Sequence, residues 1–324
     1  MATLLLDNVS RWFGNVVAVN NVTMTIGPGI TGLLGPNGAG KSTLIHMMGG
    51  FLAPSAGTVT LDGEVVWRNE GIYRHIGLVP EREAMYDVVT GWEFVLANAR
   101  LHGLLDPEAA ARRAIETVEM TDAQGRDITT YSKGMKQRIK MATALVHDPP
   151  VLLLDEPFNG MDPRQRLHLM ELLRAMGDEG RTVLFSSHIL EEVEQIAGSI
   201  QVMISGRHAA SGGFREIRRL MTERPHQYTI RSDNDRALAS VIIAEESASG
   251  VQLVAAHDTE SALGRGAASV GRRDGSSALH VQATDFASFV HLLPALASRH
   301  NIRLYEVSPA DESLESVFAY LVQR

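Results

Sequence analysis

Gly35-Pro36-Asn37-Gly38-Ala39-Gly40-Lys41-Ser42-Thr43 fits the pattern G-x-x-x-x-G-K-[ST] in full. Phosphate oxygens need several backbone N–H donors turned inward. Only residues that tolerate φ > 0 build such a concave nest. Lys41 reaches the β- and γ-phosphates as a mobile point charge, and the Ser42 hydroxyl can coordinate Mg²⁺. A helix starting here points the positive end of its dipole at the phosphates. Such a pattern also arises by accident in glycine-rich turns. Here its setting fits, because the apolar stretch Thr31 to Leu34 precedes the loop and a helical stretch, Ser42 to Gly49, follows it. The first expectation is therefore ATP binding.

A bound Mg·ATP also needs a carboxylate for the metal. Val151-Leu152-Leu153-Leu154-Asp155 is an apolar strand ending in Asp, the Walker B arrangement, and Asp155 can hold Mg²⁺ directly or through water. Glu156 follows at once. A carboxylate beside the metal ligand can act as general base or orient the attacking water. Ser187-His188 ends the apolar stretch VLFSS, which places His188 on the edge of a parallel sheet where ligands bind.

Outward from these motifs, strand patterns alternate with helical ones. Leu4 to Val9, Val22 to Ile26, Thr58 to Leu61 and Ile76 to Val79 read as strands, with a turn at Asp62-Gly63. From about Thr90 to Val118 helical spacing and alanine-rich stretches take over. The alternation returns with Val151 to Leu154, a helix from Arg164 to Met176, a strand from Thr182 to Ser186 and a helix from Leu190 to Ile196. This order predicts a parallel α/β sheet of P-loop NTPase type with a helical subdomain at about 83–130.

The character changes again near Thr222 to Pro225, so domains are expected at 1–222 and 225–324. The second reads as strand Gln227 to Arg231, helix Asp235 to Glu245 and strand Val251 to Ala255. A Gly/Ser/Ala/Arg-rich loop from Thr259 to Ser277 follows. Strand Ala278 to Gln282, helix Phe286 to Arg299, strand Arg303 to Val307 and helix Ser313 to Val322 close it. The βαββαβ order predicts a small ferredoxin-like α+β domain. No solenoid repeat is visible.

The chain has 324 residues, about two domains' worth. It has no cysteine, which excludes disulfides and thiolate metal sites and suits a reducing cytoplasm. A formal net charge of −8 argues against nucleic acid as the main partner. MATLLLDNVSRWF lacks the pattern of a signal peptide. No window approaches the roughly 18 apolar residues needed to span a bilayer. Any membrane work requires another chain to supply the spanning helices.

Taken together, the motifs resemble those of the nucleotide-binding subunits of ABC transporters. The decisive stretch is Tyr131-Ser132-Lys133-Gly134-Met135-Lys136-Gln137-Arg138, which looks like that family's signature in a form common among export-type subunits. It lies between the phosphate loop and Walker B, as the family requires, and the likeness covers about Leu4 to Arg219. By that resemblance Phe13 stacks on adenine, although Trp12 beside it could take the role. Gly35 to Thr43 is Walker A, Asp155 the metal ligand and Glu156 the catalytic base. Asp162, in Asn159-Gly160-Met161-Asp162, belongs to the D-loop, and His188 contacts the γ-phosphate. Ser132 and Gly134 would act on ATP held by a second subunit, so the resemblance implies a homo- or heterodimer closed by ATP and released by hydrolysis.

The pattern departs from the family at Glu81, which stands where Gln is usual and can approach Mg²⁺ or the lytic water. Lys133 brings positive charge near the partner's γ-phosphate or is simply solvated. Trp92, Phe94 and Leu96 line a groove for a membrane subunit or are helix core. Asp311 to Phe318 is similar to the S-L-E-x-V-F tail of ABC-2 type exporters. Arg265, Arg272 and Arg273 meet acidic lipid or sit in a solvated loop. The resemblance implies an exporter ATPase at the cytoplasmic face of the membrane, bound to integral permease subunits. A cytosolic ABC ATPase outside transport and an importer subunit are the alternatives.

Overall fold

The structure is a computed structural model that describes residues 2–81, 88–213, 216–217, 226–244, 248, 250–254, 278–283 and 286–309. The chain forms two compact units, the first covering Met1–Ile217 and the second Arg218–Tyr320.

The first unit holds two sheets. Strands β1 (Leu4–Phe13), β2 (Val16–Ile26), β4 (Ala56–Leu61) and β5 (Glu64–Val65) form an antiparallel sheet in the order β2-β1-β4-β5. β1 and β2 run further than their sequence alternation suggests. Asn8 and Asn21 sit at φ 51° each and look like turn residues. They instead mark irregularities in the β1–β2 register, and pairing continues past them to Phe13 opposite Val16.

The second sheet contains β3 (Gly29–Leu34), β6 (Ile76–Val79), β7 (Val151–Leu154), β8 (Thr182–Ser187), β9 (Ser199–Ile204) and β10 (Arg207–Gly212), ordered β10-β9-β3-β8-β7-β6. All neighbours are parallel except β9 and β10. The parallel sheet expected from the alternation is therefore present. β9 and β10 went unread in the sequence. They form a hairpin whose turn, Ser205-Gly206, has φ 47° and 79°, the two positive values that a tight type I′ turn needs. β7 is buried at every position, as suits a continuous apolar run covered on both faces.

Helices follow local capping chemistry. α1 (Lys41–Met48) begins directly at the phosphate loop. α2 (Gly91–Leu101) starts in a capping box between Thr90 and Glu93. α3 (Pro107–Thr117) starts at Asp106-Pro107, and α5 (Pro163–Asp178) at Asp162-Pro163. α4 (Lys133–Leu145) is capped by Ser132, and the short α6 (Leu190–Ile196) follows β8. α2, α3 and α4 form the helical insert. Within it Leu96 is buried core, while Trp92 and Phe94 are half-buried.

The second unit alternates β11 (His226–Ser232), α7 (Asp235–Ala244), β12 (Gly250–Val254), β13 (Ala278–Ala283), α8 (Phe286–Arg299) and β14 (Leu304–Pro309). Its antiparallel sheet runs β12-β13-β11-β14, the ferredoxin-like order expected from the sequence. Tyr228, Ile230, Leu238, Ile242, Val281 and Phe289 build its core. The loop Thr259 to Ser277 with its three arginines, the tail Asp311 to Phe318 and the helix expected at Ser313 to Val322 lie outside the described residues. So does the domain boundary expected near Thr222 to Pro225.

Candidate active site

Four parallel strands deliver their carboxyl ends to one edge of the sheet. β3 leads into the phosphate loop, β6 into Pro80-Glu81, β7 into Asp155-Glu156 and β8 into Ser187-His188. Such an edge is where α/β sheets place ligands. Backbone bonds tie the four together. Asp155 N donates to Val79 O at 2.8 Å, and Gly35 N to Ser187 O at 3.3 Å.

The loop backbone is fitted to close approach. Gly38 and Gly40 have φ 80° and 95°. A Cβ on Gly40 would also collide with the carbonyl oxygen of Ala18, and one on Gly35 with that of Met203. Behind the loop, Gly206 N donates to Ala39 O at 3.0 Å, so the β9–β10 turn braces it. A cleft of about 410 Å³ opens over it, lined by Val16 to Ala18, Asn37 to Thr43, Glu81 and Glu156. Its size and its glycine-lined floor suit a nucleotide triphosphate tail.

Lys41 is buried. Its Nζ donates to Gly35 O at 2.7 Å and to Pro36 O at 3.3 Å, and it lies 3.3 Å from Glu156 Oε1. His188 Nδ1 is 3.0 Å from Glu156 Oε2. Lys41 and the two expected catalytic residues, Glu156 and His188, thus form one chain, with Glu156 in the middle. Glu156 itself takes φ 47°, a left-handed conformation rare outside glycine, which turns its carboxylate away from the course of β7.

Asp155 is almost fully buried, and Ser186 Oγ donates to its Oδ1 at 2.7 Å. The same Ser186 oxygen accepts from Glu156 N at 2.8 Å. One hydroxyl therefore orients both acids of the pair. The donor set of Ser42, Asp155 and Glu81 is hard oxygen throughout, the chemistry that suits Mg²⁺. Among the described residues no group of three His, Asp or Glu could hold a metal by itself.

Several expected site residues lie elsewhere. Phe13 ends β1 with its ring exposed and Arg11's guanidinium 4.6 Å from its centroid, and Val16 and Val17 rather than Phe13 line the cleft. Ser132 Oγ accepts from Met135 N at 3.3 Å at the start of α4. Gly134 packs so closely that a Cβ there would strike the Gln165 side-chain amide. Asp162 Oδ1 accepts from Gln165 N at 2.9 Å. None of Ser132, Gly134 and Asp162 lines the cleft.

Sequence reasoning passed over Ser186, Glu192 and Arg166. Ser187 Oγ donates to Glu192 Oε2 at 2.7 Å, and Arg166 Nη1 lies 3.3 Å from Glu192 Oε1. Burial pushes the Glu192 carboxyl above the usual carboxylate range, opposed by the Ser187 hydrogen bond and the Arg166 charge. In the sequence Glu192 cannot be told from Glu191 or Glu194. Only its position on the inner face of α6 separates them. Ser186 did carry a signal, since a polar residue next to the end of an apolar strand and beside a functional edge needs a partner.

A phosphate-cradling loop, a lysine, a buried acid pair and a histidine on the carboxyl edge of one parallel sheet define a P-loop ATPase. Comparison with known proteins agrees and is more specific. Residues 19–159 match the family described as ABC transporter. The linearmycin resistance ATP-binding protein LnrL of Bacillus subtilis (strain 168) is 32% identical, over 99% of this chain and 98% of that protein. The bacitracin transport ATP-binding protein BcrA of Enterococcus faecalis is 30% identical, over 98% and 95%. A solved structure, titled "Structure of ATP binding subunit of ABC transporter", superposes with a TM-score of 0.61 at 29% identity, covering 67% of this chain and 92% of that one. The chain belongs to the ABC transporter ATP-binding proteins. It binds ATP and hydrolyses it.

Proposed function

We propose that this chain powers an ABC-2 type exporter as one of two nucleotide-binding subunits docked on integral membrane permeases at the cytoplasmic face. The observation that carries the catalytic part is the linked group Lys41–Glu156–His188, with contacts of 3.3 and 3.0 Å, beside the glycine-lined cleft. Lys41 meets the β- and γ-phosphates. Glu156 accepts the proton of the attacking water, and His188 holds the γ-phosphate end against it. Ser42, Asp155 and Glu81 hold Mg²⁺, which supplies charge neutralisation on the phosphates. Phe13, or the Val16–Val17 wall, receives adenine.

Ser132 and Gly134 stand apart from this cleft in the same chain. Their resemblance to signature residues supports a site completed by a second subunit, with Asp162 near the junction. ATP then serves as the glue of a dimer, and hydrolysis releases it. No helix among the described residues is long and apolar enough to cross a membrane, which leaves the translocation path to partner chains.

The export direction is supported by the two relatives aligned along nearly the whole chain, one named for linearmycin resistance and one for bacitracin transport. Alignment over 98–99% of this chain extends the likeness into the second unit. The proposed cargo is accordingly a toxic natural product. Deleting the gene in its host and titrating antimicrobial natural products tests this. Hypersensitivity to at least one, restored by wild type and not by Glu156→Gln, is expected. Unchanged tolerance together with a growth requirement for an imported solute would favour the importer reading.

A further inference from the structure

We infer that Glu192 is a positioning residue that links the first turn of α5 to the loop holding His188, through Arg166 on one side and Ser187 on the other. The inference rests on the reading of His188 as the residue that acts on ATP.

The geometry is specific. Glu192 is 4% exposed, yet each carboxylate oxygen has a partner on a different element. Oε2 accepts the Ser187 hydroxyl proton at 2.7 Å, and Oε1 faces Arg166 Nη1 at 3.3 Å. A buried carboxylate is tolerated only with such compensation. Ser187 Oγ also accepts from Ile189 N at 3.0 Å. Its proton has a second possible acceptor, Ile189 O at 3.3 Å, but the shorter bond to a carboxylate is the stronger. The hydroxyl thereby staples the backbone on both sides of His188, and Glu192 sets which way that hydroxyl points. Correct seating of this loop leaves His188 Nδ1 3.0 Å from Glu156 Oε2.

The other end of the link reaches the surface where a second subunit is proposed to act. Arg166 follows Gln165, whose side chain covers Gly134, and Arg166 N donates to Asp162 O at 3.0 Å. Neighbouring residues in one helical turn therefore touch the Ser132–Gly134 stretch and the carboxylate that steers His188. A shift of that turn is passed to the histidine loop through an ion pair whose carboxylate is buried and whose guanidinium is half-exposed.

The test uses the full chain, with Glu192→Ala and Glu192→Gln made alone and in a His188→Ala background. ATP affinity is read by calorimetry and hydrolysis by single-turnover phosphate release. Glu192→Ala should keep ATP affinity within about twofold and slow hydrolysis by about tenfold or more. Glu192→Gln, whose amide oxygen still accepts from Ser187, should recover to within about threefold of wild type. With His188→Ala, adding Glu192→Ala should cost less than about a further twofold, because its route runs through the histidine.

Wild-type hydrolysis in Glu192→Ala overturns the proposal, as does an equal loss in both backgrounds. A parallel loss of ATP affinity points to general packing and overturns it too. If Glu192→Ala does not fold, Arg166→Met decides. It must slow hydrolysis in the wild-type background and leave His188→Ala unchanged, and any other pattern refutes the link. A His188→Ala variant that hydrolyses at the wild-type rate removes the reading of His188 itself, and the proposal with it.

Discussion

In the first unit Lys41, Asp155, Glu156 and Glu192 are all buried, and each faces a partner drawn from another part of the chain. In the second unit the buried polar residues among those described are Ser232 and Asp235, three positions apart. There Asp235 Oδ1 accepts from both the Ser232 N–H and its hydroxyl at 2.7 Å. That arrangement is local, at the start of α7. The rest of the second core is apolar, with Tyr228 stacked on Phe289 at 5.3 Å between ring centroids. Burying a charge costs several kcal/mol unless it is paired. Four such groups cluster around the strand ends of the first unit, whereas the described core of the second unit is built almost wholly from apolar side chains. The contrast places the linked buried charges of the described residues in the first unit.

The sharpest way to break that contrast is at its centre. Glu156→Gln keeps the shape but removes the proton acceptor, so hydrolysis should fall by about 10²-fold or more while ATP binding persists. Phosphate release and calorimetry on the same sample check both halves, and turnover at the wild-type rate would end the role given to Glu156. In the second unit, Phe289→Ala should cost about 3–5 kcal/mol of that unit's stability by opening a cavity. Denaturation followed by fluorescence reads this, with ATP affinity held within about twofold. Loss of ATP binding instead would show that the two interiors are not independent in function.

Lys41→Ala should weaken ATP binding by about ten- to a hundredfold, from the loss of a charged hydrogen-bond donor. It also strips Glu156 of its buried partner, 3.3 Å away. Undiminished affinity by calorimetry would refute the phosphate role.

The smallest expected effect is a pH dependence. His147 stacks on His102 at 3.8 Å between centroids, and its Nε2 lies 3.2 Å from Ile76 O. Burial, with His102 adding to it, lowers its pKa to about 4. A histidine depressed in the folded state takes up its proton more readily when unfolded. Its contribution is present above about pH 6.5 and is lost as pH falls toward 4. Between pH 7 and pH 5 the melting temperature should therefore drop more in the wild type than in His147→Gln. Equal drops would show that the pair carries no such linkage.

Much of this molecule was readable in the chain because its signals are local. The phosphate loop combines glycines that only certain φ values need with one lysine and one hydroxyl, all within nine residues. The helix starts at Thr90, Asp106 and Asp162 are written in side chains that cap the next turn. The apolar run Val151 to Leu154 could only be a covered strand. What escaped was non-local or disguised. The strands read at Leu4 to Val9 and Val22 to Ile26 stopped short, because pairing across the hairpin carries β1 and β2 past the positive-φ residues Asn8 and Asn21. β9 and β10 have no motif to announce them. Phe13 was assigned to adenine by resemblance alone, and the residues of that hairpin that line the cleft are Val16, Val17 and Ala18.

By itself the sequence determined that this protein cradles a nucleoside triphosphate, where the nine residues of the cradle lie, and which acids and histidine are available to act on it. Each of those facts depends on residues adjacent in the chain, whose chemistry is set by covalent spacing. Only the tertiary structure decided that Lys41, Glu156 and His188, 115 and 32 residues apart in turn, meet within 3.3 Å. It alone singled out Glu192 from its neighbours. Parallel strands bring distant segments to one edge, and burial there turns an ordinary surface charge into one that must be paired.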